Sequence, residues 1–360
     1  MAPSENLKSI VIVGGGTAGW LTAGIIAAEH SANGSESDGL IDIKVTLVES
    51  PDISTIGVGE GTWPSMRSTL QKMGISETDL IRDCDASFKQ GTLFKSWKTG
   101  GNDAYTHPFT PPHSYASTNL APQWQKSSNE VSFAEAVSSQ NALMFKDLAP
   151  KQISTPEYAF HTNYGYHLDA GKFAELLRKH CVDKLGVTHL KANVVSVEST
   201  ADGDIASLKT DSHGDISGDL FVDCSGSRAL LLGEHFGVPF CSKGQFLFND
   251  TALASQIPYV NDDDPIASST LSTAQTAGWI WDIGLPTRRG IGHVYSSGHT
   301  TEDRAAQELL AYITATVSPE AAASALIRKV PFSPGHRAKF WHKNCVAVGM
   351  SAGFIEPLEA

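Results

Sequence analysis

The stretch Ser9-Ile-Val-Ile-Val13, then Gly14-Gly-Gly-Thr-Ala-Gly19, then Trp20-Leu-Thr-Ala-Gly-Ile-Ile-Ala-Ala28, decides the fold. The β-branched run reads as a short buried strand. The residues from Trp20 onward have helix-forming composition. Between them, Gly14-x-Gly16-x-x-Gly19 has the spacing of a dinucleotide turn. Gly14 permits the tight turn, Gly16 lets the backbone approach a pyrophosphate, and Gly19 lets the helix pack closely on the strand. Thr17 and Ala18 lie in this loop beside the helix N-terminus, whose free N–H groups and positive dipole favour phosphate. A Ser/Gly-rich loop from Ser31 to Gly39 follows. Asp42 to Val48 reads as a second strand ending at Glu49, placed to accept from ribose hydroxyls. Glu49 lies further from the glycines than the usual spacing of about 20 residues, and the loop accounts for the excess. The fold class is therefore α/β, with a Rossmann-like domain at the N-terminus.

Composition narrows the function. The chain has 360 residues, with 27 Lys plus Arg against 39 Asp plus Glu, giving a net charge of −12. An acidic surface repels phosphate backbones, which argues against a nucleic-acid partner. Apolar residues make up 41% and charged residues 18%, enough for a large core and against disorder. No apolar run approaches the roughly 18 residues that span a bilayer, and the Ser9–Val13 run enters glycines in a way a signal peptide does not. Cys84, Cys181, Cys224, Cys241 and Cys345 are odd in number and form no CxxC pair. A reduced, cytoplasmic protein without disulfide framework or zinc ribbon is expected. The histidines, His293 and His299 included, form no ligand cluster, so no metal is expected.

Further along, Ser65–Met73 and Asp169–Leu185 read as helices, and Thr301–Thr316 as another. Val187–Val197 and Ile205–Thr210 read as strands of a small meander. Gly218–Asp223 and Cys345–Val348 read as buried strands. Between Met73 and Asp169 lies a region dense in Trp97, Tyr105, His107, Pro108, Phe109, Pro111, Pro112 and Tyr115, read as loop-rich.

Two late segments point to FAD rather than NAD. Asp223-Cys-Ser-Gly226 resembles the Asp-Gly segment of FAD enzymes of the aromatic hydroxylase type. Gly349-Met-Ser-Ala352 occupies the place where those enzymes carry Gly-Asp-Ala-Ala beside the flavin. Taken with Ile56-Gly-Val-Gly-Glu-Gly-Thr62, Ser87-Phe-Lys-Gln-Gly91, Tyr166-His-Leu-Asp169, Gly278-Trp-Ile-Trp-Asp-Ile283, Phe340-Trp-His-Lys-Asn-Cys345 and Gly353-Phe-Ile-Glu-Pro-Leu-Glu359, the whole chain resembles the flavin-dependent halogenases of the tryptophan-halogenase type.

That resemblance implies an FAD-binding core of the aromatic hydroxylase class at 1–100 and 150–360, with a loop-rich substrate-side insertion at 101–149. It implies a partly helical substrate domain as well. In the family, reduced FAD, O2 and halide (chloride or bromide) yield hypohalous acid. This oxidant crosses a tunnel to a small electron-rich aromatic substrate, indole- or tryptophan-like. The family's essential lysine falls on Lys89, whose ammonium can donate to the oxidant's oxygen; a neutral lysine can instead form a haloamine, and burial brings both states within reach. The catalytic glutamate falls on Glu359. Trp279 and Trp281 match the indoles that keep substrate from the flavin, although Gly284 stands where the family signature has proline. His107 and Phe109 match residues lining the substrate compartment. Val194 and Met350 match positions near the flavin, as does Asp223. A separate flavin reductase is implied as partner, and a homodimer is compatible. Two other readings share the glycine loop: an FAD monooxygenase without halide chemistry and a non-catalytic flavin binder. Family members continue past the glutamate into a helical segment. Their greater length leads to the expectation of a partial chain, with an open substrate compartment and weak activity.

Overall fold

A computed structural model describes residues 7–30, 43–53, 60–127 and 131–355. Its first layer is a six-stranded sheet with Ser9–Val13 near the centre, between Lys44–Glu49 and Leu220–Asp223, all parallel. Cys345–Ala347 extends it on one side, capped by the antiparallel Trp341–His342, and Thr188–Lys191 lies at the opposite edge. Because both faces are covered, the strands are continuous hydrophobic runs rather than alternating ones. Ile10, Ile12, Val45 and Leu47 face one core with Trp20, Leu70, Phe173 and Leu177. Val11, Val13 and Val48 face a second with Leu208, Phe221 and Leu231.

The first helix, Thr17–His30, is slightly longer than composition suggests. It buries Gly19, Trp20, Ala23, Gly24 and Ala27, and these mostly small residues let its neighbours come close. A Cβ on Gly24 would stand 2.1 Å from the Met73 side chain of helix Ser65–Met73. Helix Ala170–Asp183 is opened by Asp169, which accepts from the Lys172 backbone N–H.

The meander read from the sequence divides in two. Thr188–Lys191 joins the six-stranded sheet beside Lys44–Glu49. Val194–Ser199, Ile205–Thr210 and Gly214–Ser217 form a separate antiparallel sheet. A seven-stranded sheet makes the second layer, in the order Arg328–Pro331, Thr251–Pro258, Arg288–Tyr295, Gly278–Gly284, Thr270–Gln275, Gly91–Lys95 and Ala104–Pro108. Its last strand lies inside the stretch read as loop. Helix Glu302–Thr316 covers one face, packing Ala305, Leu309 and Ile313 on Leu253, Ile257, Ile280 and Ile291. Trp279 and Trp281 lie on the other face with Ala252, Ala254 and Val294. Between the layers sits a small antiparallel sheet of Glu60–Gly61, Gly165–Leu168 and Ser87–Lys89. Among the described residues no helix is long and apolar enough to cross a membrane.

A buried carboxylate pins the small sheet to its neighbours. Glu77 accepts from Lys151 Nζ at 2.6 Å, the Tyr158 backbone N–H at 2.7 Å, Tyr166 Oη at 2.7 Å and Tyr164 Oη. Burial alone would raise its pKa, but the bonds from Lys151, the tyrosines and the backbone outweigh it and hold the carboxyl below its ordinary value. Its stabilisation is therefore complete above the unfolded carboxylate pKa and is lost as pH falls through the lowered folded value. Glu77→Ala should cost about 3–5 kcal/mol by leaving a buried lysine without its anion. Urea titration checks this, and the deficit should shrink as pH falls below about 4.

Candidate active site

Three segments far apart in sequence meet at the carboxyl ends of the central strands. Gly14 has φ of +121°, and a Cβ on it would stand 2.1 Å from the Cys224 carbonyl oxygen. A Cβ on Gly19 would stand 1.9 Å from the Gly14 carbonyl oxygen. These two glycines are therefore required by the chain itself. Gly16 differs: nothing lies within 4 Å of the position its Cβ would take. That open face, at the N-terminus of a 14-residue helix, has the room and the N–H donors a diphosphate needs. The third segment, Gly349–Ser351, closes in from the other side. Gly349 has φ of +72° and a Cβ there would stand 2.8 Å from Ala18. Ser351 Oγ donates to the Gly226 carbonyl at 3.1 Å. The residues present fit a flavin dinucleotide: Gly14, Gly16, Thr17, Ala18 and Gly19 for the diphosphate, and Glu49 for the ribose.

Glu49 lies beside this loop, its side chain against Gly15. His189 Nε2 holds the carboxylate at 2.7 Å and is itself set edge-on to Trp20. Nothing local in the sequence pointed to His189, since it arrives on the strand Thr188–Lys191. Val194 follows at the same end of the sheet, where the Ala192 N–H donates to the Glu49 carbonyl at 2.9 Å. Asp223 corrects an expectation. It is fully buried, and both carboxylate oxygens are taken by the chain. One accepts from Ser225 N and Oγ, the other from the N–H groups of Leu231 and Leu232 at 2.8 Å. Asp223 therefore shapes the turn that meets Gly14 instead of presenting its side chain to a cofactor. Met350 is partly exposed and lines a cavity of about 450 Å³ with Ser227, Phe240, Phe332, Arg337 and Phe354. Phe332 also packs on the Trp279–Trp281 cluster, so the indoles adjoin this cavity.

The second constellation surrounds Lys89, which has no exposed surface. Its Nζ lies 5.5 Å from the centroid of the Phe109 ring, a cation–π distance. Phe109 in turn contacts Trp63 at 5.3 Å, and Trp63 is half exposed. A buried amide network that sequence reasoning missed holds Phe109 in place. The Phe109 N–H donates to the Gln90 carbonyl at 2.9 Å, and Asn163 Nδ2 donates to the Phe109 carbonyl at 3.1 Å. Gln90 and Gln140, both fully buried, bond to each other, and Gln140 also accepts from the Thr110 N–H. His107, by contrast, is exposed on the edge strand Ala104–Pro108. Gly91 has φ of +149°, and a Cβ there would meet the His107 carbonyl oxygen at 2.1 Å, so only glycine lets the two strands close here.

Trp279 and Trp281 are buried side by side on one strand face, with ring centroids 6.3 Å apart. Gly292, opposite Trp281, supplies the space: a Cβ there would strike the indole at 2.1 Å. Gly284 ends the same strand, and its carbonyl accepts from Ser87 Oγ at 2.5 Å. Glu359 lies outside the described residues. Among the described residues no three His, Cys, Asp or Glu gather as a metal site would require.

Gly16→Ala should leave the melting temperature of the flavin-free protein within about 2 °C of the parent while weakening FAD binding at least about tenfold. Gly14→Ala should instead destabilise the fold itself, by about 3 kcal/mol. Differential scanning fluorimetry with flavin titration separates the two outcomes.

A sequence profile described as tryptophan halogenase matches residues 9–360. The chain is 33% identical to tryptophan 7-halogenase RebH of Lentzea aerocolonigenes, across 99% of this chain and 67% of that protein. It is 35% identical to tryptophan 6-halogenase SttH of Streptomyces toxytricini, across 99% of this chain and 69% of that one. Among solved structures it is similar to a tryptophan halogenase from Shewanella frigidimarina NCIMB 400, with TM-score 0.93 and 53% identity over 98% of this chain and 68% of that chain. It is also similar to BrvH, a flavin-dependent halogenase from Brevundimonas sp. BAL3, with TM-score 0.81 and 34% identity over 98% and 68% of the two chains. The chain thus spans about two thirds of the length of these relatives. With its glycine cradle, paired indoles and buried Lys89 carried on that fold, the chain belongs to the tryptophan halogenase family of flavin-dependent halogenases.

Proposed function

We propose that this protein halogenates a small electron-rich aromatic, of indole or tryptophan type, with hypohalous acid made from halide and O2. The observation that carries this reading is the placement of Lys89: a fully buried lysine whose Nζ stands over the Phe109 ring, which in turn packs on the half-exposed Trp63. When bound, reduced FAD would supply the two electrons and two protons that, with one further proton, turn O2 and halide into hypohalous acid and water. A separate flavin reductase is its proposed source.

The chain's own residues then divide the work. Gly14–Gly19 and Glu49 hold the dinucleotide, and the Cys224–Gly226 and Gly349–Ser351 turns close around it. Trp279 and Trp281 bar the organic substrate from the flavin side, which disfavours direct ring hydroxylation. Lys89 donates to the oxygen of hypohalous acid and makes the halogen more electrophilic. Phe109 and Trp63 offer aromatic faces that orient a flat ring. The halogen passes from oxygen to a ring carbon, and the ring loses a proton as aromaticity returns. Glu359 is assigned as the carboxylate that accepts that proton. The balance is aromatic plus hypohalous acid to halo-aromatic plus water.

Mass analysis after incubation with a flavin reductase, NADH, FAD, bromide and indole or tryptophan should show a brominated product. Lys89→Ala should lower its yield at least about a hundredfold while leaving FAD affinity intact. A hydroxylated product would assign the chain to monooxygenation, and hydrogen peroxide as the sole product would remove it from ring chemistry altogether.

A further inference from the structure

Strand Ser87–Lys89 runs antiparallel to Gly165–Leu168, with Lys89 opposite Gly165 and Ser87 opposite His167. Residues opposite each other in such a pair share a face, as do residues two apart on one strand. Lys89, Ser87, Gly165 and His167 therefore lie on one face of the small sheet. Phe88, Tyr166 and Leu168 lie on the other, packed into the first core. The polar face is turned to the seven-stranded sheet: Ser87 Oγ donates to the Gly284 carbonyl at 2.5 Å, and His167 Nε2 meets Thr270 Oγ1 at 2.9 Å.

His167 is as buried as Lys89, and both have no exposed surface. Their place in the ladder is diagonal, which sets such residues about 7–8 Å apart. Gly165 stands opposite Lys89 and Gly61 opposite His167, so neither partner adds a side chain on this face; a Cβ on Gly165 would stand 2.3 Å from the Thr62 carbonyl oxygen. The imidazole's other nitrogen, Nδ1, is buried and has no hydrogen-bond partner among the described residues. A structural histidine at a sheet interface ordinarily satisfies both nitrogens. One nitrogen is fixed by Thr270 and the other is left unpartnered on the face that also carries Lys89.

We propose that His167, oriented by Thr270, is a positioning residue for Lys89: a neutral imidazole that stands beside the ammonium and adds no second positive charge to it. This rests on the halogenase reading, in which Lys89 acts on the oxidant. The charge balance agrees with the geometry. Burial, reinforced by the Lys89 charge, pushes the imidazole well below its ordinary pKa. Two carboxylates next to this sheet, among the described residues, are placed elsewhere. Glu60 pairs with Leu168 and shares the opposite face. Asp169 takes Arg288 at 2.7 Å and caps its helix. A second cation beside Lys89 would drive the ammonium away from Phe109. A neutral ring with a fixed orientation confines it there.

The test uses the full chain in two arms. In the first, 15N-histidine spectra are followed from pH 4.5 to 8.5, with the His167 signals identified by their loss in His167→Gln. The parent should keep His167 neutral at physiological pH, and Lys89→Met should move its titration midpoint upward by at least about half a pH unit. In the second arm, bromination is measured. His167→Phe should lower kcat at least about tenfold with KM for the aromatic little changed. His167→Gln, which keeps a neutral polar group for Thr270, should recover most of the loss, and Thr270→Val should fall between them. A His167 midpoint indifferent to Lys89→Met, or a His167→Phe variant with parental kcat, overturns the inference. If Lys89→Met itself still brominates, the halogenase reading fails instead, and the two failures are distinct.

Discussion

The contact on which the site depends is the approach of Gly14 to the Cys224 carbonyl. A Cβ there would lie 2.1 Å from that oxygen. With glycine, the first strand's turn and the turn after Leu220–Asp223 lie backbone against backbone, at the ends of two paired parallel strands. Ligand crevices of open parallel sheets form at such ends. Asp223 makes the second turn rigid by spending both oxygens on it. Gly226 then receives Ser351, which brings Gly349 against Ala18. One steric opportunity thus gathers segments more than 300 residues apart into a single cradle.

The Lys89 compartment is built on a different principle. Removing an ammonium from water costs several kcal/mol unless its surroundings compensate. Here the Phe109 ring face lies at a cation–π distance from it, between two sheets tied together by the Ser87 and His167 hydrogen bonds. The aromatic ring is itself fixed by the Gln90, Gln140 and Asn163 amides. A network of fully bonded buried amides is stiff, because losing any member strands its partners without hydrogen bonds. Rigidity near Lys89 therefore comes from polar residues that take no part in chemistry.

Much of this was legible in the sequence where the signal is local. The glycine spacing, the β-branched strands and the paired indoles at period two each declare themselves within a dozen residues. Other parts follow from contacts that no local pattern encodes. Thr188–Lys191 has the same appearance whether it joins the meander or the main sheet, and only its pairing with Lys44–Glu49 decides. Ala104–Pro108 read as loop because it is an exposed edge strand with little apolar content. His189 reaches Glu49 across 140 residues, and Gln90 reaches Ser268 across 178. Asp223 belongs to the cradle, as its segment suggests, but both its oxygens face inward and serve the turn, which only the Leu231 and Leu232 contacts reveal. Gly292 carries its meaning only against the Trp281 indole.

The central claim is that three distant turns form one flavin cradle, while Lys89 occupies a separate compartment. Amide hydrogen exchange with and without saturating FAD tests it most directly. The account predicts slowed exchange together in Gly14–Gly19, Cys224–Gly226 and Gly349–Ser351, with the amides of Ser87–Lys89 and Gly165–Leu168 unchanged. Slowed exchange at the Lys89 strand without protection of the three turns would contradict it.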